Sequence, residues 1–421
     1  METLKNFLSK SLTSYHAVAN ASAFLETHGF KRLSEKEDWE LSEGGKYYIT
    51  RGGNGLIAFR IGGLDNYSYK IACAHVDSPA LKLKENPIEK KVGVATFNVE
   101  RYGGGLLYTF FDRPLKLAGR VVKSENHKVY AETVESDYTL TIPSVAIHQN
   151  RNANESFAPN VQIDMQPLIA TLGNAESWLE KLAGENVLSY DLYLVPTQEP
   201  YYYGVENEFF ASPRIDDLSG AMAILEGIAN GAESDGVSVC ALFNAEEIGN
   251  RTISGAESNL LESTLKRISL SLRFDEAEHA KALASSFMLS VDNGHATHPN
   301  HPEKTDVTNK PVLGGGVLIK AHAEGAYATD GLSSAVVKTL FDKAGVRRQA
   351  FFNRSDVRSG ATLSYTLTRL GINGADIGLP QLAMHSACET IAVSDYEDMK
   401  NGLTAFYSSD FLAQEDGYVI K

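Results

Sequence analysis

The sequence of 421 residues has little cysteine, no excess of basic residues and no long apolar run. Its three cysteines, Cys73, Cys240 and Cys388, are too few for a disulfide framework and contain no Cys-x-x-Cys pair that would indicate a thiolate zinc site. We expect reduced, buried thiols and a cytoplasmic protein. No apolar run approaches the roughly 18 residues that a membrane span requires. Residues 1–18 lack the apolar core of a signal peptide and predict an amphipathic helix.

The charge balance excludes further classes of partner. The chain has 39 Lys and Arg against 53 Asp and Glu, a formal net charge of −14. With no basic stripe in the sequence, this balance argues against binding to nucleic acid or to an anionic membrane surface. The 43% of hydrophobic residues is ordinary for a globular protein, so the chain can bury a sizeable core.

Short apolar runs alternate with helical patterns along much of the chain. Runs of this length and composition are typical of strands that are covered on both faces. We therefore predict an α/β fold with a central mixed, mostly parallel sheet covered by helices. The predicted strands are Tyr69–Ala74, Val237–Phe243, Phe287–Val291 and Val317–Ile319, and the predicted helices are Leu218–Asn230 and Gly360–Leu370.

The segment from 91 to 205 differs from the rest of the chain. It has a glycine-rich stretch, YGGGLLYTFFDRP, and alternating runs at Leu117–Val122 and Val129–Thr133 that indicate half-buried strands. We interpret 91–205 as an inserted β-rich domain. The main domain is then discontinuous, formed by residues 1–90 and 206–421.

Potential metal ligands follow the predicted strands, where open α/β sheets bind their ligands. In AHVDSP, His75 and Asp77 come directly after the first strand and share one face of an extended chain. This suits an imidazole that binds a metal while a carboxylate holds its second nitrogen. Taken alone, a His-x-Asp pair is more often a hydrogen-bonded histidine at a strand end.

Two pairs of acidic residues are further candidates. Asp216 and Asp217 in SPRIDDLSG precede a helix, where aspartate is commonly an N-cap, but where one carboxylate could also bridge two cations. Glu246 and Glu247 in FNAEEIG follow a buried strand, and their side chains diverge. One could bind a metal while its neighbour acts as a general base. A solvated pair of glutamates is the alternative.

Two histidine-containing segments complete the set. SVDNGHATHPNHP places Asp292 after a strand, followed by His295, His298 and His301, and LPQLAMHSACE contains His385. From these segments a site can be assembled with two histidines, three carboxylates and a spare glutamate, which is what a two-metal hydrolase needs, with its ions about 3.5–4 Å apart. Nitrogen and oxygen ligands without thiolate favour zinc, with cobalt and manganese as alternatives.

The order of these motifs resembles that of the M18 metallopeptidases, the aspartyl aminopeptidase family. The motifs AHVDSP, RIDDLSG, NAEEIG, SVDNGHATHPN and LPQLAMHS run from residue 74 to 386. SYHAV and SDVRSGATLSYTLTRLGINGADIG extend the resemblance to almost the whole chain. It implies a fold of the zinc exopeptidase type and a dinuclear zinc aminopeptidase that removes N-terminal residues from peptides.

The resemblance also implies roles for single residues. Glu246 would be the general base that takes a proton from the attacking water, and Asp77 would orient His75. Five side chains are implied as ligands of the two metal ions: His75 and Asp292 for one ion, Glu247 and His385 for the other, and Asp216 as the bridge.

Family members assemble as tetrahedral dodecamers built from dimers, with dimer contacts in the insertion. IPSVAIHQNRNANE resembles a segment whose histidine reaches the active site of a neighbour, which makes His148 a candidate for stabilising the oxyanion in trans. A surface histidine is the alternative. The resemblance thus implies a homo-oligomer.

Lys320 and Tyr327 match family positions in the substrate pocket. Between them the run HAEGAY has Glu324 and Ala326 where relatives have amide and basic residues. Loss of an arginine removes a bidentate partner for a carboxylate. A preference for N-terminal Asp or Glu and a broader or neutral specificity therefore both stay open.

Two other functions fit the same residues. A different dinuclear amidohydrolase or deacylase would use the same metal chemistry on another leaving group. A catalytically silent, shell-forming homologue would keep only the fold and the assembly. The presence of Glu246 argues against the silent homologue, because loss of function would tolerate loss of the base.

Overall fold

The computed structural model describes residues 1–357, 360 and 362–421. Its helices are α1 (Glu2–Lys10), α2 (Ser14–Thr27), α3 (Val161–Asp164), α4 (Trp178–Ala183), α5 (Ile215–Asn230), α6 (Leu260–Ser271), α7 (Glu276–Ala284), α8 (Gly331–Ala344), α9 (Leu363–Leu367) and α10 (Val393–Ser408). Short 3-10 turns lie at Leu107–Phe110, Leu172–Asn174, Glu246–Ile248, Pro302–Lys304 and Thr368–Leu370.

The strands of the described residues form three larger sheets and one hairpin. They are β1 (Lys31–Arg32), β2 (Lys46–Arg51), β3 (Gly55–Ile61), β4 (Tyr69–His75), β5 (Ala80–Lys91), β6 (Val94–Tyr102), β7 (Leu115–Glu125), β8 (Lys128–Glu135), β9 (Leu168–Thr171), β10 (Val187–Pro196), β11 (Tyr201–Tyr203), β12 (Phe209–Ser212), β13 (Val237–Phe243), β14 (Phe287–Val291), β15 (Gly294–His295), β16 (Val317–Lys320), β17 (Arg348–Phe351), β18 (Asn373–Gly378), β19 (Pro380–Leu382), β20 (Glu389–Ala392), β21 (Phe411–Gln414) and β22 (Gly417–Ile420).

The central sheet has nine strands in the order β1-β2-β3-β13-β4-β14-β18-β16-β17. The neighbours β13, β4, β14 and β18 run parallel, whereas β3 and β16 pair antiparallel with this parallel block. The predicted mixed, mostly parallel sheet is therefore confirmed. All residues of β4, β13 and β14 are buried, which explains why their sequences are continuously apolar.

Helices cover both faces of this sheet, and alternate residues of the strands enter two different cores. Ala72 and Leu242 face a core that contains the buried sides of α1, α2, α5, α8 and α10. Ile71 and Val239 face a second core with α6, α7 and α9. Each fully buried Leu, Ile, Val or Phe side chain contributes about 1.5–3 kcal/mol, so both faces stabilise the sheet.

A second sheet of six strands, β8-β7-β10-β5-β6-β9, is antiparallel throughout. It has its own core, which includes Phe97, Leu117, Trp178 and Leu192. This sheet agrees with the β-rich insertion predicted from the sequence, and β7 and β8 include the two predicted strands. The division of the chain into domains at 91 and 205 stays a prediction.

A third sheet has five short strands in the order β11-β12-β20-β19-β15.

The prediction of one N-terminal helix is wrong, because the chain forms α1 and α2 with a break at residues 11–13. The Arg214 guanidinium donates to the carbonyls of Leu8 and Ser11, which satisfies the end of α1 and fixes the break. Of the predicted helix Gly360–Leu370, Ala361 lies outside the described residues, Leu363–Leu367 form α9 and Thr368–Leu370 form a 3-10 turn, whereas Gly360 and Thr362 are not helical.

Among the described residues, no helix has both the length and the apolar character needed to cross a membrane. Cys73 and Cys240 are buried free thiols, whereas Cys388 is half-buried. The expectation of burial thus fails for Cys388, which lies in the loop between β19 and β20, outside a packed element.

Candidate active site

Parallel strands bring three of the predicted site segments to one edge of the central sheet. His75 is the last residue of β4, Glu246 lies three residues after β13, and Asp292 directly follows β14. Because these strands are parallel neighbours, their carboxyl ends meet at the same edge. The third sheet supplies the remaining segments, since β12 leads into Asp216 and the loop from β19 to β20 contains His385.

Asp216 lies at the centre of the cluster. Its Oδ1 is 3.7 Å from His75 Nε2, and its Oδ2 is 3.3 Å from His385 Nε2. Glu247 is a second carboxylate beside His385, and its Oε1 is also 3.3 Å from His385 Nε2. Asp216 has non-helical backbone angles although it lies in the first turn of α5, and its side chain lies between the two histidines.

Three groups of side chains in the described chain offer ligand atoms that lie within 4.8 Å of one another. Asp216 belongs to two of these groups, and Glu246 belongs to a group with His75 and Glu247. The geometry therefore allows Glu246 either as a ligand or as a base. The groups are His75, Asp216 and Asp292; Asp216, Glu247 and His385; and His75, Glu246 and Glu247.

The residues present fit a bound cation. Asp216 Oδ1 and Glu247 Oε1 are buried and have no hydrogen-bond partner in the described part of the chain. An unpaired buried carboxylate oxygen is costly unless a metal or another cation satisfies it. Burial raises the pKa of Glu247 above its usual value, against the lowering effect of His385 and His75, and the pKa of Asp292 is also raised, first by burial. Several buried carboxylates thus crowd one site.

The negative charge of the surrounding carboxylates also changes the pKa values of the two histidines. Burial acts to lower the pKa of His75, but its contacts with Asp216 and Asp77 raise it well above the usual value. For His385, contacts with Asp216 and Glu247 outweigh burial and raise the pKa to about 10. Imidazoles in such a field bind cations well, because the surrounding carboxylates offset the added charge.

Asp77 connects several parts of the site. Its carboxylate accepts hydrogen bonds from Tyr102 Oη at 2.8 Å and from the backbone N–H groups of Glu246 and Glu247 at 3.1 and 3.3 Å. The Nδ1 atom of His75 lies 3.6 Å from the Asp77 carboxylate and 3.0 Å from its carbonyl oxygen. Asp77 therefore fixes the two glutamates as well as the histidine.

Glu246 lines the cavity beside His75 and Asp292. Burial is the main cause that raises its pKa, to about 7, and the nearby carboxylates add to the effect. A carboxylate with a pKa near neutrality is suited to take up a proton and give it back.

The cavity in front of the cluster has a volume of about 390 Å³. Lys320 and Tyr327 line it, as the resemblance implied, but the Lys320 ammonium is already engaged. Its Nζ donates to the carbonyls of Asp292 and Asn293 at 2.9 and 3.2 Å and lies 4.9 Å from the centre of the Tyr327 ring. A second lining cation, Arg354, pairs with Asp356 at 2.8 Å.

His148 lies apart from this cluster. It is exposed in a turn of the insertion and is not among the described residues that line the cavity. The histidines that follow Asp292 in SVDNGHATHPNHP are all exposed; His295 lines the cavity, whereas His298 and His301 are not among its described lining residues.

Two residues that contact the site were given no role from the sequence. Tyr102, on β6, donates a hydrogen bond to Asp77. Glu389, on β20, accepts hydrogen bonds from the backbone N–H groups of Asp216 and His385. The signal for Glu389 was a charged residue at the start of the buried apolar strand ETIA. Tyr102 had no such signal, because its position depends on strand register.

The fold and the cluster together define a class. An α/β sheet that gathers histidines and carboxylates at the carboxyl ends of its strands, beside a cavity, is typical of metal-dependent hydrolases. The chain belongs to the M18 family of peptidases, the aminopeptidase I zinc metalloproteases, whose sequence profile matches residues 7–407. It is accordingly a metallo-aminopeptidase, and the resemblance seen in its motifs is confirmed.

Individual relatives agree with this placement. A probable M18 family aminopeptidase 2 of Clostridium novyi (strain NT) is 38% identical over 410 residues, which cover 93% of this chain and 95% of the relative. The cryo-EM structure of the Ape4 and Nbr1 complex contains a similar chain, with a TM-score of 0.91, 31% identity and coverage of 96% of this chain and 84% of the other. The S. cerevisiae mApe1 dodecamer gives a TM-score of 0.82 at 28% identity, with coverage of 96% and 95%.

Proposed function

We propose that the chain binds two zinc ions and uses them to hydrolyse single residues from the free N-termini of peptides. His75 and Asp292 would hold one ion, Glu247 and His385 the other, and Asp216 would bridge them. The observation that supports this proposal is the shared position of Asp216, whose two carboxylate oxygens face different histidines. Cobalt or manganese would suit the same nitrogen and oxygen donors.

The residues of the chain then divide the chemistry. When bound, zinc acts as a Lewis acid toward the scissile carbonyl. Glu246 accepts the proton of the attacking water and donates it to the leaving amine. Asp77 keeps His75 and the backbone of Glu246 in place. We further propose that His148 of a neighbouring chain donates to the oxyanion, since within its own chain it lies outside the cavity.

The metal site would also select the substrate terminus. Asp216, Asp292 and His385 line the cavity, so ions held by these ligands would face the bound peptide. Their positive charge would offset the negative charge of the carboxylates, and a free α-amine would supply a nitrogen ligand to one of them. An acylated nitrogen is a poor ligand, so we expect the enzyme to require free N-termini.

For the substrate side chain we propose a broad specificity without strict preference for Asp or Glu. Among the described residues that line the cavity, Lys320 is bound to Asp292 and Asn293, and Arg354 is paired with Asp356. Lys304 is exposed. None of these is a buried, unpaired cation that a substrate carboxylate would need.

We also propose a homo-oligomer that is built from dimers and reaches a dodecamer in the cytoplasm. Support for the assembly comes from the apolar side chains that the insertion exposes, such as Val145, Ile147 and Ile163, and from the dodecamer of the similar S. cerevisiae chain. Light scattering after size exclusion measures the number of chains, and a stable monomer would contradict the proposal. The buried free thiols of Cys73 and Cys240 are consistent with a reducing compartment.

Hydrolysis of amino-acid p-nitroanilides tests the function. EDTA should abolish the activity and zinc or manganese should restore it, because the ligands are arranged for metal. Leu, Asp and Glu derivatives compared on one leaving group measure the specificity, and N-acetylated derivatives test the need for a free amine. Activity that survives complete metal removal would contradict the metal site. Equal cleavage of acetylated substrates would instead indicate a deacylase or another amidohydrolase.

A further inference from the structure

Glu389 is a buried carboxylate that none of the proposed metal sites uses. It is the first residue of β20 and only 2% exposed. Its Oε2 accepts the backbone N–H of Asp216 at 3.0 Å, and its Oε1 accepts the backbone N–H of His385 at 2.6 Å. Glu389 is not a member of any group of potential ligands in the described chain. Both of its partners, however, belong to one such group.

The two backbone segments that Glu389 joins are irregular. His385 has a φ of 65°, in the left-handed region that residues other than glycine seldom adopt. Asp216 has non-helical angles at the start of α5. Regular hydrogen bonding of a helix or sheet therefore does not fix these two residues, and each depends on other contacts for its orientation.

Sheet register brings Glu389 to this position. In the third sheet, β12 and β20 are antiparallel neighbours, with Ser212 opposite Glu389. Ser212 ends β12, the strand that leads to Asp216, and Glu389 begins β20, the strand that follows His385. The carbonyl of His385 is bound on the other side by the backbone N–H of Leu106, at 2.8 Å. The peptide groups of His385 are thus held from both directions.

We propose that Glu389 is a positioning residue, which holds the backbones of Asp216 and His385 so that their side chains form one metal site with Glu247. The proposal rests on the proposed function, since it assigns a role within that metal site. Both oxygens of the carboxylate act as acceptors, and an amide of the same size has only one. In a glutamine at this position, the side-chain NH₂ group would face a backbone N–H, so one of the two links would be lost.

The test is a metal titration of the Glu389→Gln variant of the full-length protein, with zinc buffered by a competing chelator. Partners that orient metal ligands typically change metal affinity by about 10–100-fold, and we expect a loss in this range. Activity of Glu389→Gln should return toward the wild-type value at saturating zinc, because the groups that touch the substrate are intact. A purely structural role would not produce this rescue.

Asp395→Asn is the matched control. Asp395 is also a buried carboxylate that accepts two backbone N–H groups, from Gly314 at 2.7 Å and from Gly316 at 2.8 Å, but it belongs to none of the three ligand groups found among the described residues. Both substitutions should lower the melting temperature, while only Glu389→Gln should shift the zinc titration. Equal titrations for wild type, Glu389→Gln and Asp395→Asn would overturn the proposal.

Two further variants separate the possible failures. Glu389→Asp keeps the charge with a shorter reach and should bind zinc with an affinity between those of the wild type and Glu389→Gln. If Glu389→Gln does not fold, wild-type affinity in Glu389→Asp would overturn the proposal. His385→Ala should lose zinc whatever the role of Glu389. Unchanged zinc binding in His385→Ala would contradict the proposed metal site itself.

Discussion

The assignment of Glu246 as general base leads to a quantitative prediction for the Glu246→Gln variant. Glutamine has the same size, and the backbone N–H of residue 246 keeps its hydrogen bond to Asp77, so the fold and the neighbouring ligand groups should be retained. Loss of a general base typically costs a factor of 10²–10⁴, or about 3–5.5 kcal/mol of transition-state stabilisation. We expect kcat to fall by this factor while KM changes little, because the substrate still binds.

The assay is steady-state hydrolysis of Leu-p-nitroanilide at saturating zinc, together with the zinc content of the same sample. Glu257→Gln is the control, since Glu257 is exposed and its carboxylate pairs with the exposed Arg251, at 3.3 Å. It should leave kcat unchanged. A decrease in kcat of less than tenfold in Glu246→Gln would refute the role as base. Loss of zinc would show that Glu246 is a ligand, in the group with His75 and Glu247.

Three further predictions concern Tyr102 and Lys320 at the site and His16 in α2. Tyr102→Phe removes the hydroxyl that donates to Asp77, and zinc affinity should fall about tenfold; an unchanged zinc titration would contradict this. Lys320→Met should lower kcat/KM for Asp and Leu p-nitroanilides by similar factors, because the ammonium is bound to the Asp292 carbonyl. A loss confined to the Asp derivative would instead show that Lys320 binds the side chain of the substrate. Burial lowers the pKa of His16 to about 4, so its stabilising contribution is present above pH 6.5 and is lost as the pH falls through 4. Between pH 7 and 4.5 wild type should therefore lose about 2 kcal/mol more unfolding free energy than His16→Gln in urea titrations, and equal losses would contradict the low pKa.

The central sheet was predictable because the strands that carry the site are buried on both faces. Continuous apolar runs therefore marked β4, β13 and β14 in the sequence, and their parallel arrangement brought the following polar residues together. Three of the site segments were predicted from the same rule: His75, the pair Glu246 and Glu247, and Asp292. The roles of these single residues came from the family resemblance.

The third sheet could not be predicted in this way. Its strands β12, β19 and β20 have only three or four residues each, too few for a periodic signal. The role of Glu389 depends on the pairing of β20 with β12, which is a tertiary contact. The break between α1 and α2 likewise depends on Arg214, about 200 residues further along the chain.

Strand register accounts for the contact that Tyr102 makes. The register of β5 and β6 shifts between Leu83 and Ile88, which places Tyr102 opposite Ala80, three residues after Asp77. Counting back from the hairpin turn without this irregularity would have placed Tyr102 elsewhere on β5. Irregular register is set by packing within the sheet and leaves no clear pattern in the sequence.

The central claim is that Asp216 bridges two metal ions. An anomalous difference map at the zinc absorption edge, from crystals grown with zinc, tests it most directly. We predict two peaks on either side of the Asp216 carboxylate, one beside His75 and Asp292 and the other beside Glu247 and His385. A fully occupied site with a single peak, or peaks that do not touch Asp216, would contradict the account.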